Sequence, residues 1–175
     1  SLLKDLSNYL RGSLEIDPNN SFVSVKQELL HVESYLNIDK ARFGERLNII
    51  YDLEDGAMGV LIPAIVIQPI VENAVRHGVM KRLVGGTIVV STKIENTELV
   101  VSISDDGLGM TEEKKKTVLD YSISTGGIGL KNVNKRLVNA YGQGLRIESA
   151  EGKGTKISFR VPIASKMQEG AVQND

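Results

Sequence analysis

The chain contains no cysteine. Disulfide scaffolds, thiolate-held zinc and cysteine nucleophiles are therefore excluded, and the absence fits a reducing compartment, so a cytoplasmic setting is expected. An excess of either charge is also missing. The 21 Lys and Arg stand against 22 Asp and Glu, a net charge of −1. Such a chain has no long-range field to gather nucleic acid or an anionic membrane surface, so any phosphate site must be built locally and no nucleic-acid partner is expected. No apolar run approaches the roughly 20 residues of a membrane-spanning helix, and Ser1-Leu2-Leu3-Lys4-Asp5 does not open like a secretory signal. What is present is ordinary for a globular fold: 175 residues, 41% hydrophobic and 25% charged. That length suits one domain and a short appendage, with roughly two-thirds of the unfolded chain's surface buried on folding.

Leu3, Leu6, Leu10 and Leu14 recur at three- and four-residue steps and predict a helix ending before Asp17-Pro18-Asn19-Asn20. The apolar pattern starts in mid-stride at Leu2, as in a piece of a longer protein. Ser24 and Gln27 have capping-box spacing ahead of a second helix over about 25–43, with Val25, Leu29, Val32 and Leu36 on one face. Leu47 to Leu53 reads as a strand. Pro63 to Val79 reads as a buried helix, with Pro63 in its first turn and Pro69 forcing a kink or restart. Two antiparallel hairpins follow, 87–95 with 98–105 and 145–150 with 155–163. Between them lie a polar, glycine-rich loop from Gly107 to Gly127 and a helix over 128–141. Helices that cannot pair among themselves should cover one face of the sheet, giving a two-layer α/β sandwich. The tail, 165–175, is expected to be frayed.

Four groups of residues could carry chemistry. Asp105-Asp106-Gly107-Leu108-Gly109 follows the apolar strand Leu99, Val101, Ile103, placing a carboxylate at a strand end beside a loop without side-chain bulk. A carboxylate there can accept a hydrogen bond from the exocyclic amine of a flat heterocycle. The plain alternative is a polar turn. Glu72-Asn73-Ala74-Val75-Arg76-His77 interrupts an apolar helix, with Asn73 and His77 on one face and Glu72 and Arg76 on another. Asn73 could supply an oxygen to Mg²⁺, with Arg76 and His77 meeting phosphate oxygens; a Glu72–Arg76 pair with His77 closing the helix is the purely structural option. Ser124-Thr125-Gly126-Gly127-Ile128-Gly129-Leu130 runs into a helix, where free N–H groups form an anion site. Gly152-Lys153-Gly154-Thr155 reads first as a hairpin turn. Neither a P-loop nor a dinucleotide fingerprint occurs.

In order, Glu72-Asn73, Asp105 to Gly109, Gly126 to Leu130 and Gly152 to Thr155 resemble the N, G1, G2 and G3 boxes of the ATPase fold shared by gyrase, Hsp90, MutL and histidine kinases. Leu6 to Arg11, Tyr35 to Phe43 and Ile67 to Ala74 more narrowly resemble the LytS-type sensor histidine kinases. That resemblance implies a mixed, largely antiparallel sheet with helices on one face and a division into residues 1–43, the end of a helical dimerisation region, and 44–164, the ATP-binding catalytic domain. It implies ATP and Mg²⁺ as cofactors, Asp105 on the adenine amine, Asn73 on Mg²⁺, and Arg76 and His77 on the phosphates. Gly107, Gly109, Gly127, Gly129 and Leu130 would line the nucleotide, Thr155 would reach adenine through water, and 111–126 would form a lid. Glu72 would orient or deprotonate the nucleophile. The parent would be a membrane-anchored bacterial homodimer passing the γ-phosphoryl to a histidine and then to a response-regulator aspartate. Two departures stand out: Thr125 replaces a usual glycine, and no Asn-Pro-His-Phe-type acceptor motif surrounds His31 or His77. The same boxes also suit an ATPase conformational switch, and degenerate ones a non-enzymatic dimerisation module.

Overall fold

The computed structural model describes residues 2–4, 6–7, 22–120, 122 and 128–163. Most of the expected first helix, the tail and the segment 123–127 lie outside the described residues, although 2–4 and 6–7 are helical. After a short strand β1 (Phe22–Ser24), helix α1 (Val25–Phe43) begins at Ser24 as the spacing predicts. The Ser24 Oγ accepts the Gln27 N–H at 3.2 Å and Gln27 Oε1 accepts the Ser24 N–H at 3.0 Å. The helix ends where Gly44, at φ +60, donates its N–H to the Lys40 carbonyl.

Strand β2 (Leu47–Leu53) lies parallel to β4 (Gly86–Glu95), which pairs antiparallel with β5 (Glu98–Asp105). Strand β7 (Thr155–Pro162) pairs antiparallel with both β5 and β6 (Arg146–Ser149), giving the order β2-β4-β5-β7-β6. Burial alternates along these strands. Leu99, Val101 and Ile103 of β5 and Ile157, Phe159 and Val161 of β7 are buried on one face, which the helices cover, while their neighbours are more open. The sheet is thus the mixed, one-face-covered layer expected.

The helix expected from Pro63 starts later. Pro63 closes a short strand, β3 (Leu61–Pro63), paired with β1, where its missing N–H costs little. Helix α2 (Ile67–Asn73) then continues as a π turn, Ala74–Gly78. Pro69 is the third residue of α2, in the turn whose N–H groups have no acceptor inside the helix, so it neither kinks nor breaks it. A short helix α3 (Glu112–Thr117), capped by Thr111, occupies part of what reads as loop. Helix α4 (Ile128–Tyr141) has its expected bounds. Val25, Leu29, Val32 and Leu36 of α1 share one buried core with α2, α4 and the sheet.

Candidate functional site

Period-two alternation carries the buried face of β5 one step past Ile103, so the last inward position is Asp105, a carboxylate only 9% exposed. Its Oδ1 accepts the Gly107 N–H at 2.9 Å, and across the sheet it lies in register with Thr155. Burial pushes its pKa up from 3.8 to about 6, opposed by the Gly107 N–H, with the neighbouring Asp106 charge pushing further up. Asp106 is differently employed. Its carboxylate accepts the Thr87 N–H at 2.8 Å, and its carbonyl accepts from Arg82 Nη1 at 2.6 Å, tying the loop to β4.

Thr155, also buried, has its hydroxyl 2.9 Å from that of Ser149. Ser149 Oγ also accepts the Met110 N–H and lies 2.9 Å from the Gly154 carbonyl, so one hydroxyl joins the loop after β5 to the β6–β7 turn. Sequence reading passed over Ser149; only its pairing with Thr155 across a hairpin signals it.

The glycines are walls. A methyl group on Gly78 would overlap Asp105 Oδ1, one on Gly107 would overlap the Gly78 backbone, and one on Gly154, at φ +79, would overlap the Asp105 carbonyl. Gly109, at φ +69, is pressed in the same way against the Ala150 carbonyl. The end of the π turn, the loop after β5 and the β6–β7 turn therefore meet around Asp105 with no room for side chains.

Gly78 also ends the second limb. Glu72 and Asn73 are half-buried on the last turn of α2, while Arg76 and His77 are exposed on the π turn, a distortion frequent at functional sites. Glu72 Oε1 accepts from Gln68 Nε2 at 2.9 Å, four residues earlier on the same face. Among the described residues, the ion pairs do not include a Glu72–Arg76 bridge. His77, though exposed, is held below the usual histidine pKa, first by partial desolvation and then by the Lys114, Lys81 and Arg76 charges around it. Four basic groups thus gather at this end, with Lys114 contributed by α3.

Leu130 and Gly129 open α4; the Leu130 side chain is buried in the core, and Gly129 passes against Pro69 of α2. Gly127 lies outside the described residues. No helix among the described residues is long and apolar enough to cross a membrane.

A family model described as histidine kinase-, DNA gyrase B-, and HSP90-like ATPase matches residues 62–165, and one described as histidine kinase matches residues 1–47. The chain is 36% identical over 162 residues to the protein YwpD of Bacillus subtilis strain 168, covering 92% of this chain and 58% of that one. It is 35% identical over 178 residues to the sensor protein LytS of Staphylococcus saprophyticus, covering 99% of this chain and 30% of that one. Among solved structures, the catalytic domain of histidine kinase ThkA superposes with a TM-score of 0.64 at 18% identity, covering 81% of this chain and 95% of that domain. The chain therefore spans little more than half of one curated relative and under a third of the other.

Proposed function

The chain belongs to the histidine kinase-, DNA gyrase B- and HSP90-like ATPase family, and on that premise we propose that it is the ATP-binding catalytic part of a two-component sensor histidine kinase. The observation that carries this reading is the convergence, at Gly78, of a buried carboxylate walled by glycine backbone and a limb bearing Arg76 and His77 beside Lys81 and Lys114. The first suits a flat base with an exocyclic amine, the second a polyphosphate. Asp105 accepts from the adenine amine, and Thr155 assists through water. The backbones of Gly107 and Gly109 flank the ring, while Arg76 and His77 face the phosphates. Gly127, Gly129 and the Leu130 N–H supply the anion site at the start of α4. Residues 111–126 act as a lid, and α3 brings Lys114 with it.

Among the described residues, no group of three or more His, Cys, Asp or Glu could cage a metal. A Mg²⁺ ion here would arrive on ATP and take a single protein oxygen, which fits Asn73, half-buried and with no side-chain hydrogen-bond partner among the described residues. When bound, that ion supplies neutralisation of the phosphate charge. Glu72, oriented by Gln68, positions or deprotonates the nucleophile. The γ-phosphoryl passes to a histidine outside this sequence and then to a response-regulator aspartate, a step governed by positioning and charge neutralisation. Residues 44–164 form the catalytic unit, and α1, docked on it, ends the helical region of a homodimeric, membrane-anchored parent. Residues 165–175 are a tail.

Calorimetric titration with a non-hydrolysable ATP analogue, with and without Mg²⁺, tests the reading. Micromolar, Mg²⁺-dependent binding that Asn73→Ala abolishes is expected. No binding at millimolar nucleotide would overturn it.

A further inference from the structure

The segment entering α2 has an unusual construction. Ile65 adopts φ +58, a left-handed conformation rarely taken by a β-branched residue. Val66, at the start of α2, makes no side-chain cap. The cap comes instead from another helix. Glu28 of α1, 3% exposed, accepts the Ile65 N–H on Oε1 at 2.6 Å and the Val66 and Ile67 N–H groups on Oε2 at 3.1 and 3.0 Å. Arg136 of α4 donates through Nη1 to the Ala64 carbonyl at 3.0 Å and the Ile65 carbonyl at 2.8 Å of the same segment. Five backbone hydrogen bonds from two charged side chains thus hold residues 64–67 around the strained Ile65, a conformation that persists only where its surroundings over-determine it.

Glu28 does not act alone on its helix. Val32, Tyr35 and Asp39 continue its stripe at four-, three- and four-residue steps, all buried. Burial, then the Asp39 and Glu72 carboxylates, raise the Tyr35 phenol's pKa, and Arg76 opposes them, so the α1 stripe is within electrostatic reach of the far end of α2. The helix that carries Glu72 and Asn73 is held at its start by Glu28 and packs against α1. Its first turn, at Pro69, also abuts Gly129 of α4.

We infer that Glu28, with Arg136, is a positioning residue for the metal and phosphate half of the site: the Glu28–Ile65–Arg136 node sets where α2 presents Asn73, and makes that position depend on α1. Asp105, on β5, lies outside the node. This rests on the nucleotide reading above. Its distinguishing consequence is selective: disturbing the node costs the Mg²⁺-dependent part of ATP affinity and spares the metal-free part that Asp105 carries.

The test is titration of the wild type, Glu28→Gln and Arg136→Lys with a non-hydrolysable ATP analogue, once in EDTA and once in Mg²⁺, after thermal melts establish which variants fold. Glu28→Gln keeps one acceptor oxygen but turns an amide toward backbone N–H groups; Arg136→Lys keeps the charge but ends one bond short of the Nη1 that donates to both carbonyls. The affinity gained on adding Mg²⁺ should fall at least about tenfold in a folded variant, and affinity in EDTA should stay within about twofold. Equal loss under both conditions, loss under neither, or failure of both variants to fold would overturn the proposal, the last because the node would then serve the fold rather than the site. A wild type that binds under neither condition would instead overturn the nucleotide reading.

Discussion

Around Asp105 the site is made of backbone packed on backbone: four glycines, two hydroxyls and one carboxylate meet with no space left for a methyl group. Around Asn73 it is made of half-buried and exposed side chains at the end of α2 and on the π turn, with like charges gathered and the Asn73 side chain without a hydrogen-bond partner among the described residues. The first end is fixed by sterics before any ligand arrives. The second carries like charges close together, which an anion would balance. Substitutions at the rigid end should therefore act on folding and binding together, and those at the charged end on binding alone.

Gly107→Ala presses that contrast hardest. Its methyl would collide with the Gly78 backbone, which cannot rotate away, so a loss of about 3 kcal/mol or more in urea unfolding is expected. Asn73→Ala should change the same measurement by less than about 0.5 kcal/mol; a comparable loss in both would erase the distinction.

Asp105→Asn should split the two properties. Removing the charge-assisted hydrogen bond weakens the ATP analogue roughly ten- to 150-fold by calorimetry. The empty protein should gain stability. The folded pKa of about 6 lies above the ordinary 3.8, so the native state holds the proton more tightly. The stabilising effect is complete below about pH 4 and lost as pH rises through about 6. Above that, the neutral amide should be more stable than the carboxylate by about 1 to 2 kcal/mol, discounted for the water that still reaches the group. By the same sign, wild-type affinity should fall as pH drops below about 6, with a slope that Asp105→Asn lacks.

Lys114→Ala is the gentlest probe. Losing one exposed charge should weaken the nucleotide about two- to threefold, an effect that added salt erases, and the His77 pKa should rise as one lowering neighbour disappears, readable by NMR titration.

The rigid end was the more legible in the sequence. Alternation along Leu99, Val101 and Ile103 fixes the parity of Asp105, and the glycines around it can be read as close approaches because period-two patterns and turns are local. The same locality made the Ser24 capping box and the bounds of α4 readable. Pro63 misled because a proline suits a strand end as well as a helix start. Glu28 carries no local signal: its three N–H partners lie 37 to 39 residues away, and no sequence pattern announces such a bond. Ser149 was hidden for the same reason, since Met110 is 39 residues distant.

One feature of the sheet bears on how the protein opens. Strand β2 is its outer, parallel member, and the connection from β2 to β4 contains β3, α2 and the π turn, whereas Asp105 belongs to the antiparallel strands beyond. A transient opening that detaches β2 would carry away the Asn73 limb first and leave the β4-β5-β7-β6 ladder standing. Amide protons of residues 47–53 and 67–78 should then exchange with deuterium as one early group, ahead of those of β5. The two halves of a single binding site would have separate lifetimes in the empty protein, and bound nucleotide would bring them to a common rate.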